Sequence, residues 1–127
     1  MSINSDIAER VIADLVFDEN GLIPAIAQSD ETSEVLMLAY MNSESIRETL
    51  SSGQVCYWSR SRQSLWRKGE SSGHIQRLIE LRYDCDHDAL LLRVKQTGPA
   101  CHTNRPNCFF HAVRNGEVVV LHAPEDD

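Results

Sequence analysis

The sequence predicts an α+β fold: one strand-rich domain with short helices, residues 1–127, its core over about 15–122. Three observations carry this. The chain has 127 residues, 42% hydrophobic and 24% charged, the size and composition of a single soluble domain. Strand-sized apolar runs outnumber the two short helical stretches. Asn115-Gly116 stands between two apolar runs, the sequence of a type I′ hairpin.

The elements follow in order. Ser5 caps a first helix over the first 14 residues, with Ile7, Val11 and Ile12 as its apolar positions. Leu15–Phe17 reads as a short strand and Asp18–Gly21 as a turn. Leu22–Ala27 and Glu34–Tyr40 read as strands. Asn42 or Ser43 caps a second helix to about Ser52, with Ile46 and Leu50 on one face and Gly53 after its end. Val55–Ser59, Ser64–Arg67, His74–Tyr83 and Ala89–Gln96 read as strands. Gly69–Gly73 and the Pro-containing Thr97–Cys108 are loops. Phe109–Arg114 and Glu117–His122 flank the hairpin turn, and the acidic tail Pro124–Asp127 is expected to fray.

The longest apolar runs, Val35–Tyr40 and Ala89–Leu92, are far short of the ~18–20 residues of a membrane helix. The N-terminus carries acids and no long apolar stretch, so neither a signal nor a transit peptide is expected, and the compartment is expected to be the cytosol. A formal charge of −7 supplies no global field for nucleic acid, and none is expected as a partner.

Asp84, Asp86 and Asp88 alternate with Cys85 and His87. In an extended segment, period two puts the three carboxylates on one side and Cys85 on the other. Crowded carboxylates repel unless a cation sits among them, and their hard oxygens suit Mg²⁺ or Ca²⁺. The EF-hand is excluded, because Ala89 stands where its Gly belongs and Lys95 where its Glu belongs. The plain alternative is a solvated acidic turn between strands.

Four cysteines are present, and a cytosolic domain of this size needs no disulfide staples. Cys56 lies mid-strand and reads as a buried packing residue. Cys101 and Cys108 are separated by six residues in a Pro-containing loop, not in a C-x₂-C knuckle. Cys85 can complete a three-thiolate set, which leaves zinc a fourth position for a water. Buried thiols that merely pack are the alternative. His102 follows a candidate ligand and is the best-placed general acid or base, with His74 second.

The segment 57–74 holds both tryptophans and a basic cluster over Arg60–Lys68. Arginines and a Gly/Ser loop can hold phosphates, and a tryptophan can stack on a base. No Walker A or G-x-G-x-x-G sequence is present. A surface hairpin with solvated arginines explains the same composition.

Together these stretches resemble the phosphoribosyl-AMP cyclohydrolase family, from about Phe17 to Phe110. The residues that carry the resemblance are 21–25 (GLIPA), 35–42 (VLMLAYMN), 57–62 (YWSRSR), 65–74 (LWRKGESSGH), 84–88 (DCDHD) and 98–103 (GPACHT). Departures fall at Asn104 and near Ser33, where the family commonly has Gly, and at Asn107, where it has Ser; Asn tolerates positive φ. The resemblance implies hydrolytic opening of the adenine ring of phosphoribosyl-AMP at N1–C6, in histidine biosynthesis, by a zinc-activated water. It implies Zn²⁺ on Cys85, Cys101 and Cys108, shared across an intertwined homodimer, and Mg²⁺ on Asp84, Asp86 and Asp88. Substrate contacts fall to Trp58, Arg60, Arg62, Trp66, Lys68 and Glu70. Only the cyclohydrolase step is implied, because the chain ends about where that domain would.

Two rivals come from other classes. A zinc nucleobase deaminase carries H-x-E…P-C-x-x-C, which is absent here. A zinc-stabilised nucleic-acid module is opposed by the net charge.

Overall fold

A computed structural model describes residues 5–125. The order is α1 (Ser5–Asp14), β1 (Ile23–Ser29), β2 (Val35–Met41), α2 (Ser43–Ser52), β3 (Cys56–Ser59), β4 (Ser64–Arg67), β5 (Gln76–Tyr83), β6 (Leu90–Gln96), β7 (His111–Arg114) and β8 (Glu117–Val120). The α+β expectation holds for one domain. Ser5 opens α1, but its capping side chain lies outside the described residues.

Six strands form one mixed sheet in the order β4-β3-β2-β1-β6-β5, and β7-β8 is a separate hairpin. β1 runs antiparallel to β2 and parallel to β6. The sheet curls because its far regions are tied together. Val55 N–H donates to Gln76 O at 2.9 Å and Leu78 N–H to Gly53 O at 2.8 Å, joining the lead-in of β3 to β5. Period-two burial then fills the interior: Ile23, Ala25 and Ala27 from β1 meet Leu90, Leu92 and Val94 from β6. Ile46 and Leu50 of α2 close the same core.

α2 starts at Asn42, one of the two caps expected. Asn42 Oδ1 accepts Ser45 N–H at 2.8 Å and Ser45 Oγ accepts Asn42 N–H at 2.9 Å, a reciprocal capping box. The helix ends at Gly53 with φ 80°. Asn115 and Gly116 both take positive φ, as the type I′ turn requires.

Three readings need correction. Leu15–Phe17 is not a strand: Leu15 N–H bonds back to Ile12 O as a helix tail, and Val16 N–H makes a bond to His87 O rather than a ladder. His74 and Ile75 precede β5 rather than opening it, and the imperfect alternation there is a register shift between Leu78 and Glu80. Pro124–Glu125 is not frayed, because Glu125 N–H bonds to Asn104 O at 2.7 Å and Asn104 Nδ2 bonds to Glu125 O at 3.3 Å. Asp126 and Asp127 lie outside the described residues. Among the described residues no helix is long and apolar enough to cross a membrane.

Candidate functional site

The loop 97–108 packs back on itself and on β2. Cys101 N–H donates to Arg105 O at 3.1 Å, Asn104 N–H to Cys101 O at 3.0 Å, and Cys108 N–H to Leu36 O at 2.8 Å. Asn104 sits at φ 63° and Ser33 at φ 64°. The departure at Asn104 thus falls where the backbone is left-handed, which Asn tolerates better than most residues, and Ser33, near the other, is left-handed too. Asn107 is buried; its Oδ1 accepts Phe109 N–H at 2.8 Å and its amide donates to Glu34.

This folding places the thiols of Cys101 and Cys108 near enough for each to shift the other's pKa. Desolvation opposes ionisation of Cys101. The Thr103 hydroxyl at 3.0 Å, the Thr103 backbone, the Cys108 thiol and the Arg105 charge outweigh it, and the net shift is downward. Burial, then Cys101, pushes the Cys108 thiol up to about 11, although the residue reaches the surface. Two thiols of one loop whose proton affinities are pushed in opposite directions are chemically suited to a soft cation, which binds as sulfur gives up its proton.

The opposite wall comes from β4 and the loop after it. A hollow of about 250 Å³ lies between Arg62, Trp66, Lys68 and the Gly/Ser loop on one side and Cys101, His102 and Asn104 on the other. A second, of about 360 Å³, continues past Trp66, Lys68 and His102 to Ser59, Met37 and Cys108. His102 is exposed where the two adjoin. Glu70 and His74 line the first. Lys68 is buried, donating from Nζ to Ala100 O at 2.6 Å. Burial lowers its pKa and the nearby Cys108 and Cys101 pull it back. Its ammonium therefore braces the cysteine loop. Trp58 and Arg60 line a neighbouring hollow, with the Arg60 guanidinium 4.0 Å over the Tyr40 ring.

Asp84–Asp88 is a tight turn joining β5 to β6, not an extended segment. Asp84 Oδ1 accepts Asp88 N–H at 3.0 Å and Ala89 N–H at 3.2 Å, and His87 takes φ 65°. The turn gathers one oxygen from each of Asp84, Asp86 and Asp88 within 4.8 Å of one another. Partial desolvation raises the Asp84 pKa, but the two backbone donors and the neighbouring carboxyls outweigh it and lower it overall. Asp88 shifts up, chiefly through its hydrogen bond with Asp86. Three clustered carboxylates, one reluctant to ionise, match the needs of a hard divalent cation. Cys85 is exposed on this turn and joins no cluster of three ligand atoms with Cys101 and Cys108 among the described residues.

Residues 37–110 match the family model described as phosphoribosyl-AMP cyclohydrolase. A protein of that name from Paracoccus denitrificans is 64% identical over 114 residues, 90% of this chain and 94% of its own length. The chain belongs to the phosphoribosyl-AMP cyclohydrolase family. Another member, from Rhodospirillum centenum, is 63% identical over 91% of this chain and 86% of its own. One from Pseudomonas fluorescens, named phosphoribosyl-AMP cyclohydrolase 2, is 62% identical over 92% and 80%. This member of the family is thus an enzyme and a hydrolase.

Sequence reasoning missed the groups that hold the site. Tyr83 Oη donates to Asp14 Oδ2 at 2.8 Å and His87 Nδ1 lies 2.8 Å from Asp14 O, which docks the end of α1 on the acidic turn. Tyr57 and Gln76 are buried beneath the cleft and bonded at 2.6 Å. The only signal for Gln76 was a polar residue at the start of an otherwise strand-like run.

Proposed function

We propose that this cyclohydrolase-family chain hydrolyses the N1–C6 bond of the adenine ring of phosphoribosyl-AMP, opening the ring, as a step of histidine biosynthesis in the cytosol. The observation that carries the reading is the cleft itself. A paired-thiol loop bearing His102 faces Trp66, Arg62 and a Gly/Ser loop, in a chain whose relatives bear that enzyme's name.

In this reading Cys101 and Cys108 hold Zn²⁺ together with Cys85 of a second copy in an intertwined homodimer. Asp84, Asp86 and Asp88 hold Mg²⁺. The donor sets fit: two close thiols, one already inclined to ionise, suit a soft cation, and three clustered carboxylates suit a hard one. Zinc, when bound, supplies an acidified water and a positive charge beside the ring.

The protein's own groups do the rest. The adenine ring lies in the hollow of Met37, Trp66, Ala100 and Cys108, where Trp66 offers a face for stacking. Arg62 and Arg67 with the serines of the Gly/Ser loop hold one phosphate. Glu70 contacts the same end of the substrate. Trp58 and Arg60 receive the other, phosphate-bearing end. His102 takes a proton from the attacking water as its oxygen bonds to C6, then delivers it to N1 as the C6–N1 bond breaks. His74 is the second choice for that role. Lys68, braced on Ala100 O, steadies the loop and lends positive charge.

The test is turnover. Purified protein is given phosphoribosyl-AMP, ring opening is followed in the ultraviolet with and without a zinc chelator, and ammonia is assayed alongside. Chelator-sensitive ring opening without ammonia is the expected result. Ammonia release would assign a deaminase instead, and no reaction with both metals supplied would overturn the reading.

A further inference from the structure

A chain of side-chain hydrogen bonds runs from the buried Tyr57 outward to the half-buried Gln96. Tyr57, packed 5.5 Å from Trp66 by ring centroids, donates its hydroxyl to Gln76 Oε1 at 2.6 Å. Gln76 Nε2 donates to Gln96 Oε1 at 2.9 Å. Gln96 Nε2 donates to Thr97 O at 3.0 Å and His74 O at 3.4 Å. Because Tyr57 donates first, every amide in the relay has one orientation. The outer amide nitrogen therefore faces two carbonyls.

Those two carbonyls belong to opposite walls. His74 ends the Gly/Ser loop, and Thr97 opens the segment that carries Cys101 and His102. The same walls meet again through Thr97 N–H to Ile75 O at 3.0 Å. The His74 ring lies so close to Gly98 that a Cβ there would fall 2.6 Å from His74 Cδ2. On the other side, a Cβ on Gly69 would fall 2.5 Å from the His74 carbonyl carbon. His74 is thus clamped between the two loops, with Gln96 as the side-chain staple.

Gln76 is 0% exposed. A buried amide is costly unless every group is bonded, and an apolar residue would fill the same space without that demand. We infer that Gln76 and Gln96 are positioning residues for the hydrolysis: they fix the separation of the cleft walls and thereby set His102 and His74 against the substrate ring. This rests on the hydrolase reading above. Neither glutamine is assigned contact with the reacting atoms, and their effect passes through the two loops.

Gln96→Glu isolates the function of the outer amide. It still accepts from Gln76 but cannot donate to either carbonyl. Gln96→Met removes the donors without adding charge. Thr49→Val is the control for lost stability alone: Thr49 Oγ1 donates to Cys56 O at 3.1 Å and accepts Cys56 N–H at 2.9 Å, both buried and made by α2.

Both Gln96 variants should lower kcat at least about 10-fold with KM within about 3-fold, as misplaced catalytic groups do. Amide hydrogen exchange over 69–75 and 97–104 should rise in both variants while that of α2 stays unchanged. Thr49→Val should lower the melting temperature and leave kcat within about twofold. Gln96 variants with wild-type kcat would overturn the inference. So would a loss of kcat no greater than that of Thr49→Val at matched melting temperature. An inactive wild type would instead overturn the hydrolase reading, a separate and recognisable outcome.

Discussion

His102 is exposed between the two hollows, and no partner holds its ring in a fixed hydrogen bond among the contacts described. That freedom suits a group which must take and return a proton. His102→Ala should reduce turnover by ~10²-fold or more, with zinc content by atomic absorption unchanged. Cys101 and Cys108 should behave oppositely. Cys101→Ser or Cys108→Ser should lose zinc itself, because a hydroxyl does not ionise to replace a thiolate. Zinc retained at wild-type stoichiometry would remove those sulfurs from the ligand set.

The elements are held to each other by contacts of unequal weight. The Asn42 box starts α2 and aims Ile46 and Leu50 at the core. Asn42→Ala should cost about 1 kcal/mol in denaturant unfolding. Ile46→Ala should cost more, about 2–5 kcal/mol, because Ile46 is fully buried. α1 is tied to α2 by the exposed pair Glu9–Arg47 at 2.7 Å. The hydrogen bond from Arg47 holds the Glu9 carboxyl below its ordinary value of 4.5. A depressed carboxylate stabilises the fold above its unfolded pKa and loses that contribution as pH falls through its folded one. Wild type and Glu9→Gln should therefore differ in melting temperature at pH 7 and converge at the acid end. The gap at pH 7 should shrink with added salt, since both partners face water.

At the scale of the molecule, the thiols divide. Cys101 and Cys108 come together on one loop, while Cys85 stands exposed on the β5–β6 turn. If the zinc ligands are shared between copies, Cys85→Ser and Cys101→Ser proteins should each be inactive. Mixed and refolded together, they should regain about a quarter of wild-type turnover, because random pairing gives half heterodimers with one intact site each. No recovery would mean that each copy builds its site alone. The β7–β8 hairpin leaves Val113, Val118 and Val120 exposed, and Val16, Leu38, Ile79 and Phe109 are exposed elsewhere on the chain.

The sequence by itself determined the local chemistry. Period-two alternation and turn residues placed most strands, Asn42 or Ser43 and Gly53 bounded α2, and Asn115-Gly116 set the hairpin, because these signals act over two to four residues. The ordered motifs also marked the family to which the chain belongs. Tertiary structure alone decided how they meet. The parallel pairing of β1 with β6 and the tie between β3 and β5 join residues distant in the chain, which no local pattern encodes. That curl buried Lys68 under the cysteine loop and set Gln76 beneath Trp66 and Tyr57. Of the two conformations the spacing left open for Asp84–Asp88, extended or an acidic turn, the packed chain takes the turn. The physical reason is the same in each case. A side chain's partner across the sheet is fixed by register and burial, and these are properties of the packed molecule.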